Sequence, residues 1–151
     1  MEQVVQVIDR CCTFPLIERA GLFKRVLFNY LVGNEDSHLK NFSLIRRDPK
    51  IGLSPAYDLL NATIVLRAPE EIALPLNGKR RNLTRHDLVD YFGHERLGLT
   101  EKTIRQTLAD LSNAQPEWER LIGVSFLSEA LKEGYRELVS SRGRRLGFVG
   151  N

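Results

Sequence analysis

Asp36, His38, Lys40 and Asn41 crowd into one short segment, GNEDSHLKNFSLI (residues 33–45), and Asp58 follows after two short apolar runs. The spacing Asp36-x-x-x-x-Asn41, with a second carboxylate further on, matches the needs of phosphoryl transfer with Mg²⁺. That ion takes hard oxygen ligands and prefers few of them from protein, leaving room for phosphate oxygens and water. Asn41 and Asp58 would supply two such oxygens. Asp36 would orient an attacking hydroxyl and accept its proton, and Lys40 or His38 would offset charge on the transferred group. Taken alone, Asp-x4-Asn also fits a polar loop that caps a helix and starts a strand, with Asp58 capping the next turn.

The elements that would hold these groups can be read on either side. Residues 14–32 place Leu16, Ala20, Phe23, Leu27, Tyr30 and Leu31 at three- and four-residue steps, which predicts a helix with a broad buried face. Gly33 suits its C-terminal cap, and a shorter helix is expected over residues 3–11. Asp48-Pro49 is a turn signal between two apolar runs, so residues 42–53 are expected to form a β-hairpin. The fold-back would return Asp58 to Asn41. A short strand is expected over residues 72–76 and a turn at Asn77-Gly78. Thr84 is expected to cap a helix through Tyr91, with Asp87 completing a capping box, and Thr100 to start another that runs to about Leu111. Pro116 is expected to open the longest helix, with Trp118, Leu121, Ile122, Ala130, Leu131, Tyr135 and Leu138 inward. Ile64, Val65 and Leu66 are expected in the core. The class is mainly α with a small β-hairpin.

The 151 residues, 42% hydrophobic and 27% charged, suffice for one domain with its own core. No apolar run approaches the roughly 18–20 residues of a membrane helix, and the N-terminus lacks the basic n-region of a signal peptide. The net charge of +3 is mild and does not demand an anionic partner. Adjacent Cys11 and Cys12 are read as reduced packing thiols, which predicts a cytoplasmic setting. His38, His86 and His94 are too scattered for a zinc site.

The words around the spacing carry a resemblance. FNYLVGNEDSHLKNFSLI followed by LSPAYDLLNAT resembles the C-terminal lobe of HipA-type serine/threonine kinases, a bacterial toxin family. The family's catalytic loop, Asn-x-Asp-x-His-x-Lys-Asn, is filled by Asn34, Asp36, His38, Lys40 and Asn41. Its Pro-x-Tyr-Asp metal segment is filled at Pro55, Tyr57 and Asp58, and IALPLNGK (residues 72–79) is similar to the run that follows. The match covers about residues 22–79. The resemblance implies Asp36 as catalytic base assisted by His38 and Lys40, Asn41 and Asp58 as Mg²⁺ ligands, and Asn34 and Lys40 at the nucleotide, with ATP as phosphate donor. It further implies a protein substrate with a serine or threonine acceptor and a HipB-like antitoxin partner through which any nucleic acid would be reached.

The family is two-lobed, whereas this chain has no Gly-x-Gly phosphate loop, and Lys24 is its only lysine ahead of the loop. Residues 1–141 are therefore expected to be a helical C-lobe with the N-lobe absent, and residues 142–151 a flexible basic tail. Lacking half the nucleotide cradle, the chain alone should bind ATP poorly and transfer phosphate negligibly, so Mg²⁺ and ATP are both expected only when an N-lobe is present. The N-lobe would come from a second subunit, and the apolar face it leaves bare predicts homodimers. Two alternatives stand beside this reading: a non-catalytic lobe acting as a protein- or DNA-binding module, or a nucleic-acid-binding domain built on Lys79, Arg80, Arg81, Arg85, Arg142, Arg144 and Arg145.

Overall fold

The structure, a computed structural model, describes residues 1–66 and 70–148. The side chain of Leu66, expected in the core, and residues 149–151 of the expected tail lie outside the described residues.

Helix α2 (Pro15–Val32) is the axis of the fold. Leu22, Phe23, Leu27, Tyr30 and Leu31 on it have no exposed surface, because helices meet it on several sides: α1 (Glu2–Cys11), α4 (Glu101–Val124), α5 (Glu129–Leu146) and a π-helical segment over His86–Arg96. Burial on α2 begins at Leu22. The first turn projects past its neighbours, so Leu16, expected inward, is 68% exposed. Within the core, Phe23 meets Phe92 of the π-helical segment at 6.3 Å between ring centroids, and Phe28 meets the edge of Trp118 at 5.6 Å.

The expected hairpin forms from β1 (Leu44–Arg47) and β2 (Lys50–Leu53), antiparallel, with Leu44 opposite Leu53. Its turn is Asp48-Pro49. Glu18 of α2 accepts the Leu53 N–H at 2.9 Å, which ties the hairpin to the axis. The strand expected over residues 72–76 reduces to one bridge between Leu76 and Lys79, with the Glu71 and Ile72 N–H groups donating to Arg80 O. A single-turn helix α3 (Thr63–Leu66) follows the hairpin. Val65 on it is 66% exposed rather than in the core.

The Thr84–Asp87 capping box forms as expected, and the helix beyond it runs on to Arg96. The two C-terminal helices divide at a different place from the one expected. Pro116 lies inside α4: Ile104, Leu108, Leu111 and Ile122 are buried on both sides of it, and that continuous apolar seam carries the helix past the one hydrogen bond proline cannot make. The break falls at Ser125-Phe126-Leu127, and Ser128 caps α5. Leu121 and Ala130, expected inward, are exposed.

The basic stretch expected to fray from Arg142 is instead the end of α5. Gly147 closes it in a left-handed conformation, with Gly147 N–H donating to Arg144 O and Phe148 N–H to Gly143 O, a Schellman cap that lays Phe148 into the core. Of the seven basic residues weighed for nucleic acid, four bond to other parts of the fold, Lys79 to Asp87, Arg85 to Leu146 O, Arg145 to Glu71 and Arg142 to Tyr30 O; Arg142 alone is buried, and the other six, Arg80, Arg81 and Arg144 among them, are exposed. No helix among the described residues is long and apolar enough to cross a membrane. Cys12 is buried and Cys11 exposed, both free thiols.

Candidate active site

The site begins where α2 stops. Gly33 takes φ +77°, and the Gly33 and Asn34 N–H groups return to Tyr30 O and Asn29 O, the same capping geometry seen at the end of α5. From there the side chains sort by burial. Asn34, Glu35, Ser37 and Asn41 are 8% exposed or less, while Asp36, His38 and Lys40 face outward.

The inward set is hydrogen-bonded into the fold. Asn29, a polar residue in the buried stripe of α2, donates to Ser37 Oγ at 2.8 Å and accepts from Asn34 Nδ2 at 3.3 Å. Asn34 Nδ2 also reaches the Asp58 carbonyl at 3.1 Å. Asn34, expected at the nucleotide, is thus only 2% exposed; its amide nitrogen joins the loop to the Asp58 segment, while its Oδ1 is buried without a partner. Glu35 accepts from the Thr63 hydroxyl and pairs with Arg142 at 3.5 Å.

The hairpin brings Asp58 back as expected. Asn41 Nδ2 donates to Asp58 Oδ2 at 2.6 Å across 17 residues of chain. Asp58 sits at φ +56°, a left-handed conformation that aspartate tolerates better than most residues. The segment before it is held on two sides. Arg25 of α2 donates to the Ser54 carbonyl, and the Tyr57 hydroxyl donates to the Lys40 carbonyl at 2.6 Å. Burial pushes the Arg25 guanidinium pKa down, against the opposing pull of Tyr57 and Glu18; its aliphatic stem leaves the charged head over the Phe42 ring at 5.9 Å.

Asp36 is 70% exposed, and His38 Nε2 lies 4.0 Å from its Oδ1. Both line an open cleft of about 660 Å³ together with Glu35, Lys40, Leu74 and Arg80. The loop therefore offers a carboxylate, an imidazole and an ammonium to one cleft, while its Asn41 reaches Asp58 on the segment beyond the hairpin. Sequence reasoning missed the supporting residues Asn29, Glu35, Ser37, Thr63 and Arg142. Of these, only Asn29 carried a signal that could have found it, an amide on the helix face between Val26 and Tyr30.

A family model described as "HipA-like C-terminal domain" matches residues 1–118, which contain every one of these groups except Arg142. The chain belongs to the HipA-like C-terminal domain family. A Haemophilus influenzae protein named "Putative kinase" is 29% identical over 146 residues, covering 85% of this chain and 42% of that protein. A Sinorhizobium fredii protein, "Putative kinase Y4dM", is 47% identical over 58 residues, 36% of this chain and 14% of its own. In structure, the HipA-like domain matches HipA of the Shewanella oneidensis toxin–antitoxin system, solved with HipB and operator DNA, at a TM-score of 0.77 and 21% identity. That match covers 97% of this chain and 36% of the other, so the fold is shared and this chain spans well under half the length of these relatives.

The HipA-like domain carries a donor set that fits Mg²⁺. Asn41 Oδ1 is buried and has no hydrogen-bond partner. Turning the amide about its last side-chain bond exchanges its oxygen and nitrogen and brings Oδ1 beside the Asp58 carboxylate. Two oxygens so placed repel unless a cation stands between them. One carboxylate and one amide oxygen are hard donors that leave most of an octahedral shell to phosphate and water. Among the described residues no group of three or more His, Cys, Asp or Glu converges for a softer metal.

Proposed function

We propose that the chain is the catalytic C-terminal lobe of a HipA-like serine/threonine protein kinase, with Asp36 as base and Asn41 and Asp58 as the Mg²⁺ ligands. The observation that carries this reading is the 2.6 Å contact between Asn41 and Asp58, made by the same loop that presents Asp36 to an open cleft.

In this reading the acceptor hydroxyl lies against Asp36. As its oxygen forms a bond to the γ-phosphorus of ATP and the bond to the leaving oxygen breaks, Asp36 takes the hydroxyl proton. Lys40 supplies positive charge, and His38 a ring nitrogen, at the cleft mouth, where charge spreads over the transferred group. Mg²⁺, when bound, neutralises phosphate charge and holds the phosphate oxygens in place. Asn34 and Tyr57 fix the Asp58 segment against the loop, so that the two donors and the base keep one spacing. The rest of the nucleotide cradle comes from an N-terminal lobe, as in a two-lobed kinase. A HipB-like antitoxin is the expected partner, since the Shewanella oneidensis HipA was solved with HipB and DNA, and a protein serine or threonine is the expected acceptor.

The test uses Mn²⁺ as a paramagnetic stand-in for Mg²⁺. With ATP and an N-terminal lobe supplied, electron paramagnetic resonance should show Mn²⁺ bound to the chain and displaced by Mg²⁺, lost in Asp58→Asn and retained in Asp36→Asn. With an N-terminal lobe supplied, Asp36→Asn should stop phosphate transfer from labelled ATP. Undiminished transfer in that variant refutes Asp36 as the base, and undiminished Mn²⁺ uptake in Asp58→Asn refutes the metal site.

A further inference from the structure

Helix α5 runs behind the loop, and one of its faces touches it at successive turns. Leu138 packs against Gly33, so closely that a Cβ added there would fall 2.6 Å from Leu138 Cδ2. One turn on, Arg142 donates to the Tyr30 carbonyl at 2.6 Å and pairs with Glu35 at 3.5 Å, its guanidinium 5.1 Å from the Tyr30 ring centroid. One turn further, Arg145 reaches the Tyr30 hydroxyl at 3.4 Å and Glu71. Residues three and four apart share a helix face, so 138, 142 and 145 form one ridge.

The Glu35–Arg142 pair is the centre of this ridge, and it lies in the interior. Both side chains are 5% exposed. Burial pushes the Arg142 guanidinium pKa down, and Tyr30, Glu71 and Glu35 oppose that shift. Ion pairs desolvated to this degree add little net stability compared with apolar residues of the same volume, so stability is a weak reason for this one. Its position offers a better one. Glu35 immediately precedes Asp36 in the chain, and the same carboxylate accepts from Thr63, whose hydroxyl also bonds the Gly33 carbonyl. Thr63 and Arg142 both bind Glu35 Oε1 and so anchor the side chain inward, which sets the peptide plane from which Asp36 turns outward.

We infer that Glu35 and Arg142 are positioning residues that aim Asp36, which makes helix α5, beyond the residues the family model matches, a working part of the site. The aiming role rests on Asp36 being the base proposed above, while the clamp itself is a property of the loop and can be tested without that premise.

The experiment compares the full 151-residue chain with Glu35→Gln, Arg142→Lys and the double variant Glu35→Gln/Arg142→Met, using amide hydrogen exchange. The reporter amides are Asn34, His38 and Asn41, bonded to Asn29 O, Asp36 O and His38 O; the reference amides are those of α2 from Leu22 to Leu31. Removing a charged hydrogen-bond partner should speed exchange at the reporters by about tenfold relative to the reference. Arg142→Lys, which keeps the charge but not the two-armed reach, should give a smaller rise. The double variant leaves no unpaired buried charge and guards against simple unfolding. It should keep the α2 rates near wild type while the loop rates stay high. Reporters and reference that accelerate by the same factor in all three variants overturn the clamp, as does a loop unchanged in the double variant. Mn²⁺ uptake by the wild-type chain with ATP and a supplied N-terminal lobe is measured alongside: its absence refutes the metal reading and leaves the exchange result to decide the clamp.

Discussion

Asp87 is a carboxylate with no exposed surface, and its removal has a magnitude that can be worked from its contacts. Its Oδ1 takes the Lys79 ammonium at 2.7 Å, and its Oδ2 takes the Thr84 N–H at 3.0 Å and the Thr84 hydroxyl at 2.7 Å. Burial by itself would raise the pKa; the Lys79 and Thr84 hydrogen bonds outweigh it and hold the carboxyl at about 2, against an ordinary 3.8. A depressed folded-state pKa gives stability that is present in full above the unfolded value and drains as the pH falls through the folded one. The difference is worth about 2 kcal/mol near neutrality, roughly half that at pH 3 and little at pH 2. Asp87→Asn keeps the volume but loses Lys79 and leaves a Thr84 donor short of an acceptor. A loss of about 2–3 kcal/mol at pH 7 is expected, which lowers Tm by roughly 5–10 °C in a chain of this size. Urea unfolding of wild type and variant at pH 7, 3 and 2 measures it. The gap should shrink steadily with acid. A gap below about 0.5 kcal/mol at pH 7, or one that does not change with pH, refutes the reasoning. The consequence reaches the cleft, because Lys79 also closes the turn whose next residue, Arg80, lines its wall.

Two other substitutions probe the loop. Gly33→Ala should cost about 2 kcal/mol or more in urea unfolding, since a Cβ at φ +77° would press on Leu138, Asn61 and Thr63; a nearly neutral result would mean the turn is not held as described. Asn29→Ala removes the bonds to Ser37 and Asn34, and should cost about 2 kcal/mol while weakening Mn²⁺ uptake severalfold. Unaltered metal affinity there would separate the buried amides from the alignment of Asp58.

How much of this was legible beforehand depends on the range over which each signal acts. Helix α2, its Gly33 cap, the hairpin and the Thr84–Asp87 box are decided by residues within a few positions of each other, so periodicity and turn chemistry located them. The Asn41–Asp58 contact was also within reach, because a two-residue turn leaves the strands only one way to return. The division of the C-terminal helices was not. Pro116 reads locally as a helix start, but buried residues on both sides of it, packed against α2, decide that α4 continues to Val124. Asn34 misled for a related reason. Its type suits a ligand-facing loop, and only the packed fold shows its amide turned inward to Asn29 and Asp58.

By itself, then, the amino-acid order determined the short-range parts: an amphipathic axis, a left-handed glycine, a hairpin, and a loop with base and donor types at workable spacing. The tertiary structure alone decided which of those polar groups face outward and what stands behind them. Arg142 is 107 positions from Glu35, a separation at which no local pattern marks a partner. Its arginine reads from sequence as one more charge in a solvated basic tail. Burial turns it into a ligand for the loop, because a guanidinium taken out of water must find a carboxylate and a carbonyl, and α5 docks where both are available.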